Sequence, residues 1–401
     1  MIELRRKGPE DTVAHVKCSR TLTERRHMGR MVHTRAQMQM LRPRPVQVVR
    51  PMQRERGAER KINDFSHDHE EDESIRGDQN EFDESQHLTQ EEKSSQNTKK
   101  NNDYQTAINF QTRIVWFPNV LVFIVLHSMC FYGMYLACVE ATWKSWLFAI
   151  AWGISAGLGV TAGAHRLWSH RSYKARTPLR ILLMIFNCMA CQNDIYEWCR
   201  DHRVHHKYSE TNADPHNVNR GFFFAHVGWL MCKKHPDVIR KGASVSCADL
   251  LDDPVVRFQR KYYIPLTAFW CFGVSTALPL VLGESLRVAY FSCTMARYVI
   301  SLNFTWLVNS AAHLWGTKPY NKWISPVENT FVTVAAIGEG FHNFHHTFPY
   351  DYRTSEFGMK LNLTTAFINL MARCGQAYDL KTVPADVIEK RSLRTGDGSR
   401  E

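Results

Sequence analysis

Nine histidines carry the chemistry that this sequence can do. They fall in four short stretches: His165-Arg-Leu-Trp-Ser-His170, Asp201-His202-Arg-Val-His205-His206, a single His313 four residues after Asn309, and Gly340-Phe-His342-Asn-Phe-His345-His346. His202, His205 and His206 stand three and four apart and share one face of a helix, and His342, His345 and His346 repeat the spacing. His165 and His170 are five apart, about 140° round an ideal α-helix, so they converge only if the helix ends or bends between them. Neutral imidazole binds Fe, Zn, Cu and Ni, so ligand type alone does not choose the metal. Nine imidazoles are too many for one ion and suit two octahedral-like ions with open positions. A structural zinc would use four ligands and favour cysteine.

Each stretch lies beside an apolar segment that has to place it. Residues 117–139 are apolar apart from Asn119 and His127, long enough for the ~30 Å of a hydrocarbon core. His127 has no second histidine near it and is expected to be a packing residue. A second span covers 146–164. Its Gly153, Ala156, Gly157, Gly159 and Gly163 either permit close helix packing or leave room for a ligand. The run 179–191 is too short to cross and suits a buried or interfacial helix. Residues 262–282 and 288–312 form the third and fourth spans. Arg297 lies inside the fourth, where a charge is costly, and is expected to snorkel or to pair with Glu140 or Glu284. With four spans, all four histidine stretches fall on one face of the membrane. The base-rich loop 171–261 assigns that face to the cytosol, since the two short loops opposite carry only Lys144 and Arg287.

The chain has 401 residues, 44% of them apolar, and a formal charge of +11. The basic excess is uneven: it lies in an Arg-rich N-terminus and beside the apolar segments. That is a juxtamembrane pattern and does not imply a nucleic-acid partner. Residues 1–60 are basic and 64–92 acidic, with few large apolar residues, so 1–110 is expected to be a disordered tail. The Arg-rich start raises a transit peptide as an alternative. The eleven cysteines lack even spacing and are expected to be reduced thiols. Cys188-Met-Ala-Cys191 has CxxC spacing but sits in an apolar run without the surroundings of a redox or zinc pair. The expected architecture is an all-α integral membrane protein. Four transmembrane helices carry a cytosolic helical cap with a histidine-ligated di-metal site. The tail 1–110, a membrane domain 111–385 and a C-terminal tail 386–401 divide the chain.

The stretches Thr161-Ala-Gly-Ala-His-Arg-Leu-Trp-Ser-His170, Glu197-Trp-Cys-Arg-Asp-His-Arg-Val-His-His206, Asn309-Ser-Ala-Ala-His313 and Gly338-Glu-Gly-Phe-His-Asn-Phe-His-His346 resemble those of the membrane acyl-CoA Δ9-desaturases, the stearoyl-CoA desaturase family. The resemblance runs from about Arg113 to Gly398 and includes Ala213-Asp-Pro-His-Asn217 and Arg394-Thr-Gly-Asp-Gly398. It implies a di-iron centre with no catalytic residues beyond the metal ligands. One iron would take His165, His170, His202, His206 and His345. The other would take His205, His313, His342 and His346, with Asn309 acting through water. It also implies O2-dependent removal of hydrogen from adjacent carbons of a long-chain acyl-CoA in the endoplasmic reticulum membrane, with termini and active site cytosolic. Electrons would come from NADH through a reductase and cytochrome b5.

By the same resemblance Arg200, Asp201, Lys233 and Lys234 would hold the CoA head, with Asn119 and Asn193 nearby. Trp198, Trp306, Gln192 and Thr305 would shape the bend of the acyl tunnel. At its far end, Gly153 and Gly157 stand where mammalian relatives carry a tyrosine and an alanine, which implies a deeper tunnel. The alternatives are another regiochemistry, Δ11 for example, or hydroxylation on the same scaffold. A membrane metal transporter is a third, but it would place ionisable groups along the spans.

Overall fold

The computed structural model describes residues 117–400 and Thr98; the expected disordered tail 1–110 lies, apart from Thr98, outside the described residues. Two apolar helices come first, α1 (Phe117–Val139) and α2 (Trp143–Ser169). Next comes α3 (Thr177–Ala190), a helix of 14 residues, roughly 21 Å long and so too short to cross. It starts with a proline in its first turn and ends at Cys191 in the left-handed region, φ 51°. Its buried face is Leu179, Leu183, Met184, Asn187 and Cys188. Helix α4 (Ile195–Tyr208) is capped by Asp194, whose side chain accepts from the Glu197 amide. Several short helices lead to α5 (Tyr263–Val281) and to α6, a continuous helix over residues 286–309.

Helices α1, α2 and α5 have the length and apolar composition to cross a bilayer. Helix α6 has the length, but Ser292, Thr294, Arg297, Ser301 and Asn303 interrupt its apolar run. The two short loops meet at one end of the bundle. Arg287 donates to both carboxylate oxygens of Glu140 at 2.7 Å. Glu284 accepts from the Thr142 amide at 2.9 Å.

Arg297 therefore has neither of its expected acidic partners, and it does not snorkel. It is buried, and its guanidinium donates to the carbonyls of Met189 at 3.2 Å and Cys271 at 3.3 Å. Met189 lies in the last turn of α3, where carbonyls lack helical donors and the helix dipole is negative. The charge is met by backbone, which side-chain types cannot reveal.

A further group of helices, the cap, carries or adjoins the histidines. It contains α4, α7 (Thr330–Ala335), α8 (His342–Thr347), α9 (Leu363–Arg373) and α10 (Ala385–Thr395). A two-stranded antiparallel sheet pairs β1 (Lys174–Ala175) with β2 (Ala377–Tyr378). The segment set apart as a C-terminal tail is folded against this cap. The Lys322 amide donates to Thr395 at 2.8 Å, the Asp397 amide to Lys318 at 3.1 Å, and Arg400 grips Glu356 with two bonds of 2.9 and 2.8 Å. The ten cysteines among the described residues are free, and Cys188 is fully buried, as a packing thiol would be.

Candidate metal centre

Helix α2 changes register before it leaves the bundle. From Gly159 to Ser169 it is a π-helix, and the His170 amide bonds the His165 carbonyl at 3.1 Å. Hydrogen bonds from i to i+5 bring residues five apart onto one face. The convergence of His165 and His170, with rings 4.9 Å apart, thus comes with a wider helical turn that ends at Ser169, between the two, as the spacing required. Helix α4 offers His202, His205 and His206. Helix α8 offers His342, His345 and His346. His313 follows the end of α6.

These rings gather into two groups, in each of which the ligand atoms all lie within 4.8 Å of one another. One holds His165, His170, His202, His206 and His345; the other holds His205, His313, His342 and His346. Nε2 atoms face each other: His165 to His345 at 2.9 Å, His206 to His345 at 3.0 Å, His313 to His342 at 3.0 Å, and His170 to His202 at 2.8 Å.

Three outer nitrogens are held by carboxylates. His165 Nδ1 lies 2.8 Å from Glu339, His205 Nδ1 3.0 Å from Asp214, and His313 Nδ1 3.1 Å from Glu210. A carboxylate at Nδ1 assigns the proton there and leaves the Nε2 lone pair pointing inward. One N–H on His345 can serve only one of its two Nε2 neighbours. Inward lone pairs in each group are what a cation satisfies, so the residues fit metal ions. Burial, and then neighbouring rings, push His170, His202, His206, His342, His345 and His346 well below the ordinary histidine pKa. They are neutral at physiological pH, the form that binds metal.

The carboxylates escaped the sequence reading, which stopped at the histidines. Their signal was present: Glu210 and Asp214 follow His206 closely, and Glu339 precedes His342. A metal-binding imidazole needs an acceptor behind it. Arg166 was passed over too. It is 1% exposed and donates to Glu339 at 2.8 Å, Thr365 at 2.9 Å and the Tyr352 carbonyl at 2.9 Å. Asp214 also lies 3.6 Å from His216, so a carboxylate wedged between two imidazoles backs the second group.

A cavity of about 890 Å³ runs from the histidines along α2 and α6. Gly153, Gly157, Trp198, Thr305 and Asn309 line it, beside His165, His202, His205 and His342. The Trp198 ring stacks on His202 with centroids 4.9 Å apart. Gln192 donates to Thr305 at 3.0 Å from behind the wall. Trp306 is buried against Phe123 and His226 and is not among the lining residues.

The residues expected at the CoA head are not among those that line this cavity. Arg200 pairs with Glu197 at 2.5 Å and Asp201 at 3.0 Å, and Lys234 with Asp201 at 2.5 Å. Lys233 and Asn193 are exposed, and Asn119 donates to the Leu230 carbonyl at 2.8 Å. His127 bonds the Phe123 carbonyl at 2.8 Å and packs on Trp306, away from both histidine groups.

Fold and site together define a helical membrane protein whose clustered, carboxylate-backed histidines can hold metal at the head of an apolar cavity. Residues 141–356 match the fatty acid desaturase family. The acyl-CoA Delta-9 desaturase of Acheta domesticus is 54% identical over 294 residues, 73% of this chain and 82% of that protein. The acyl-CoA Delta12-desaturase of the same organism is also 54% identical over 294 residues, with the same coverage. Stearoyl-CoA desaturase 5 of Homo sapiens is 56% identical over 287 residues, 71% of this chain and 86% of that protein. The chain belongs to the fatty acid desaturase family.

Proposed function

We infer that the protein is an acyl-CoA desaturase that inserts a cis double bond, at Δ9, into a saturated long-chain acyl-CoA. The observation that carries this is the joining of the two histidine groups to a long apolar cavity through shared lining residues. The nine histidines would hold two iron ions, with Asn309 acting through water, and the metal when bound supplies the O2 chemistry. The chain's own residues do the rest. Glu339, Asp214 and Glu210 fix imidazole tautomers. Trp198 and Thr305 wall the acyl chain beside the histidines and keep water from it. Gly153 and Gly157 leave depth beyond.

Four crossings by α1, α2, α5 and α6 would place the cap in the cytosol, with the protein in the endoplasmic reticulum. There the basic residues Arg200, Lys233 and Lys234, with Asp201, Asn119 and Asn193, would receive the CoA head. Trp306 and Gln192 would support the tunnel bend from behind. Electrons would come from cytochrome b5 and its NADH reductase. The chain would divide at about residue 110, with 386–400 packed on the membrane domain 111–385. A second regiochemistry has specific support, because relatives at equal identity carry Delta-9 and Delta12 names.

The test is the fatty-acid profile of desaturase-deficient yeast expressing the chain, with double-bond positions located by mass spectrometry. Δ9 monoenes are expected, and His202→Ala should abolish them. Monoenes at another carbon would move the chain's register, and no new double bond from metal-loaded protein would overturn the reading.

Chain length gives a further expectation. A Cβ at Gly153 would meet only Arg297 carbons at 3.7 Å and the Ser301 hydroxyl at 3.8 Å, ordinary contacts. Gly153 lies about 18 Å along α2 from His165. A phenol there fills the cavity without moving a helix, so Gly153→Tyr should shorten the preferred substrate in competition assays. Unchanged chain selectivity would remove the tunnel end from Gly153.

A further inference from the structure

The cap carries an apolar edge that stays largely exposed among the described residues, where Phe357 meets the Phe341 ring at 5.9 Å between centroids. Phe331 and Val334, one helical turn apart on α7, are 67% and 61% exposed. Phe357, Met359 and Leu361, in the loop before α9, are 45%, 53% and 52% exposed. Leu361 adopts φ 53°, which a leucine rarely takes, so the loop turns tightly just where it presents this side chain. A soluble surface would not be expected to gather large apolar side chains in this way.

Two observations say what covers the edge. First, it is continuous with the lipid-facing surface. Val334, Met359 and Leu361 line the same cavity as Ile150 and Trp146 of α2 and Phe304 of α6, which are themselves exposed on crossing helices. Second, its depth is fixed. The Thr364 hydroxyl bonds Thr161 at 2.8 Å, and the Thr364 amide bonds the Ile337 carbonyl at 3.2 Å. Thr161 lies inside the crossing helix α2, about 6 Å before His165. The loop's anchor is thus tied to the last part of the expected span 146–164. Lys360, exposed between Met359 and Leu361, holds its amine 6.0 Å from the Phe357 ring centroid, so its stem runs along this apolar edge.

We propose that Phe331, Val334 and the Phe357–Leu361 loop form a lip inserted in the interfacial lipid, and that this lip is the side wall between the acyl cavity and the bilayer. The cavity then borders lipid along a loop and a short helix instead of a crossing helix. The lip is a surface for phospholipid acyl chains, and its insertion does not depend on which reaction the histidines perform.

Lipid contact can be read directly on the unaltered protein. The full chain would be reconstituted in phosphatidylcholine nanodiscs containing a phosphatidylcholine with a diazirine in its acyl chain. After irradiation, adducts would be mapped by mass spectrometry. Adducts on the outward residues of Phe117–Val139 are the internal standard. The lip predicts adducts at Phe331 and Phe357 within about threefold of that standard. These two residues are not among the cavity-lining set, so a lipid chain that strays into the cavity cannot imitate the result. Standard labelling of α1 with none at Phe331 and Phe357 overturns the proposal. In Met359→Glu/Leu361→Glu the lip adducts should vanish while α1 labelling persists; adducts retained in that variant overturn it equally.

Discussion

Glu339→Gln is expected to leave a folded, membrane-inserted protein that has lost most of its metal and its turnover. Glu339 Oε2 lies 2.8 Å from His165 Nδ1, and Oε1 accepts from Arg166 at 2.8 Å, with both partners buried. A glutamine can keep one of these bonds. Its amide nitrogen faces either a guanidinium or an Nδ1–H, and both are donors. His165 is then free to turn or to change tautomer. Loss of such an outer partner typically costs about 10–100-fold in metal affinity or activity.

Burial raises the Glu339 pKa, but Arg166 and His165 overcome this and hold it at about 2, below the 4.5 of a free glutamate. The folded pKa is depressed, so the stabilisation is complete above the unfolded value and fades only as pH falls toward 2. Mild acid therefore does not imitate the mutation. Glu339→Ala is harsher, because it strands the Arg166 guanidinium without a counter-charge, at about 3–5 kcal/mol. Metal per protein by plasma mass spectrometry, beside product formation, decides the matter. Glu339→Gln protein with full metal and full turnover would show that the carboxylate does not position His165.

The histidine spacings and the apolar runs were legible because both are periodic in sequence. The offsets of three and four in the second and third stretches appear directly as the inward faces of α4 and α8. The short run 179–191 appears as α3, close to its expected bounds. What escaped was decided by geometry that periodicity does not encode. The spacing of His165 and His170 looked unfavourable under an α-helical period, and a π-helical segment removes the difficulty. Arg297 seemed to need an acid, yet the chain supplies carbonyls from the end of a helix far away in sequence. Arg200 and Lys234, expected at the CoA head, also pair with Glu197 and Asp201, contacts that the reading of basic residues left out. The polarity of α6 has the same origin: Ser292 donates to the Gly133 carbonyl at 2.7 Å, and Ser275 and Thr294 bond each other at 2.9 Å. Polar residues there serve helix-to-helix bonds, which average hydropathy counts only as a loss.

The glycines of α2 had two expected uses, packing or room, and the structure sorts them. Gly153 borders open cavity, and Gly157 would meet only the mobile end of Ile337 at 3.0 Å. Gly159 is different. A Cβ there would lie 2.2 Å from the Asn187 nitrogen and 2.2 Å from the Phe186 carbonyl carbon, both backbone atoms of α3. Backbone cannot rotate aside, so Gly159→Ala must push α2 and α3 apart. Overpacking of well-packed interiors costs typically about 1–3 kcal/mol, and a clash with two backbone atoms belongs at the upper end. Gly159 also begins the π-helical turn that carries His165 and His170, so whatever protein folds should bind less metal. Gly153→Ala, with its Cβ in ordinary contact, should be nearly silent in both respects. Fluorescence-detected size exclusion and the melting temperature of the solubilised protein measure the first effect, and metal per protein the second. A Gly159→Ala protein as monodisperse, as stable and as metal-rich as the parent would mean that α2 and α3 do not touch backbone to backbone, and that the histidine turn owes its shape to something other than this contact.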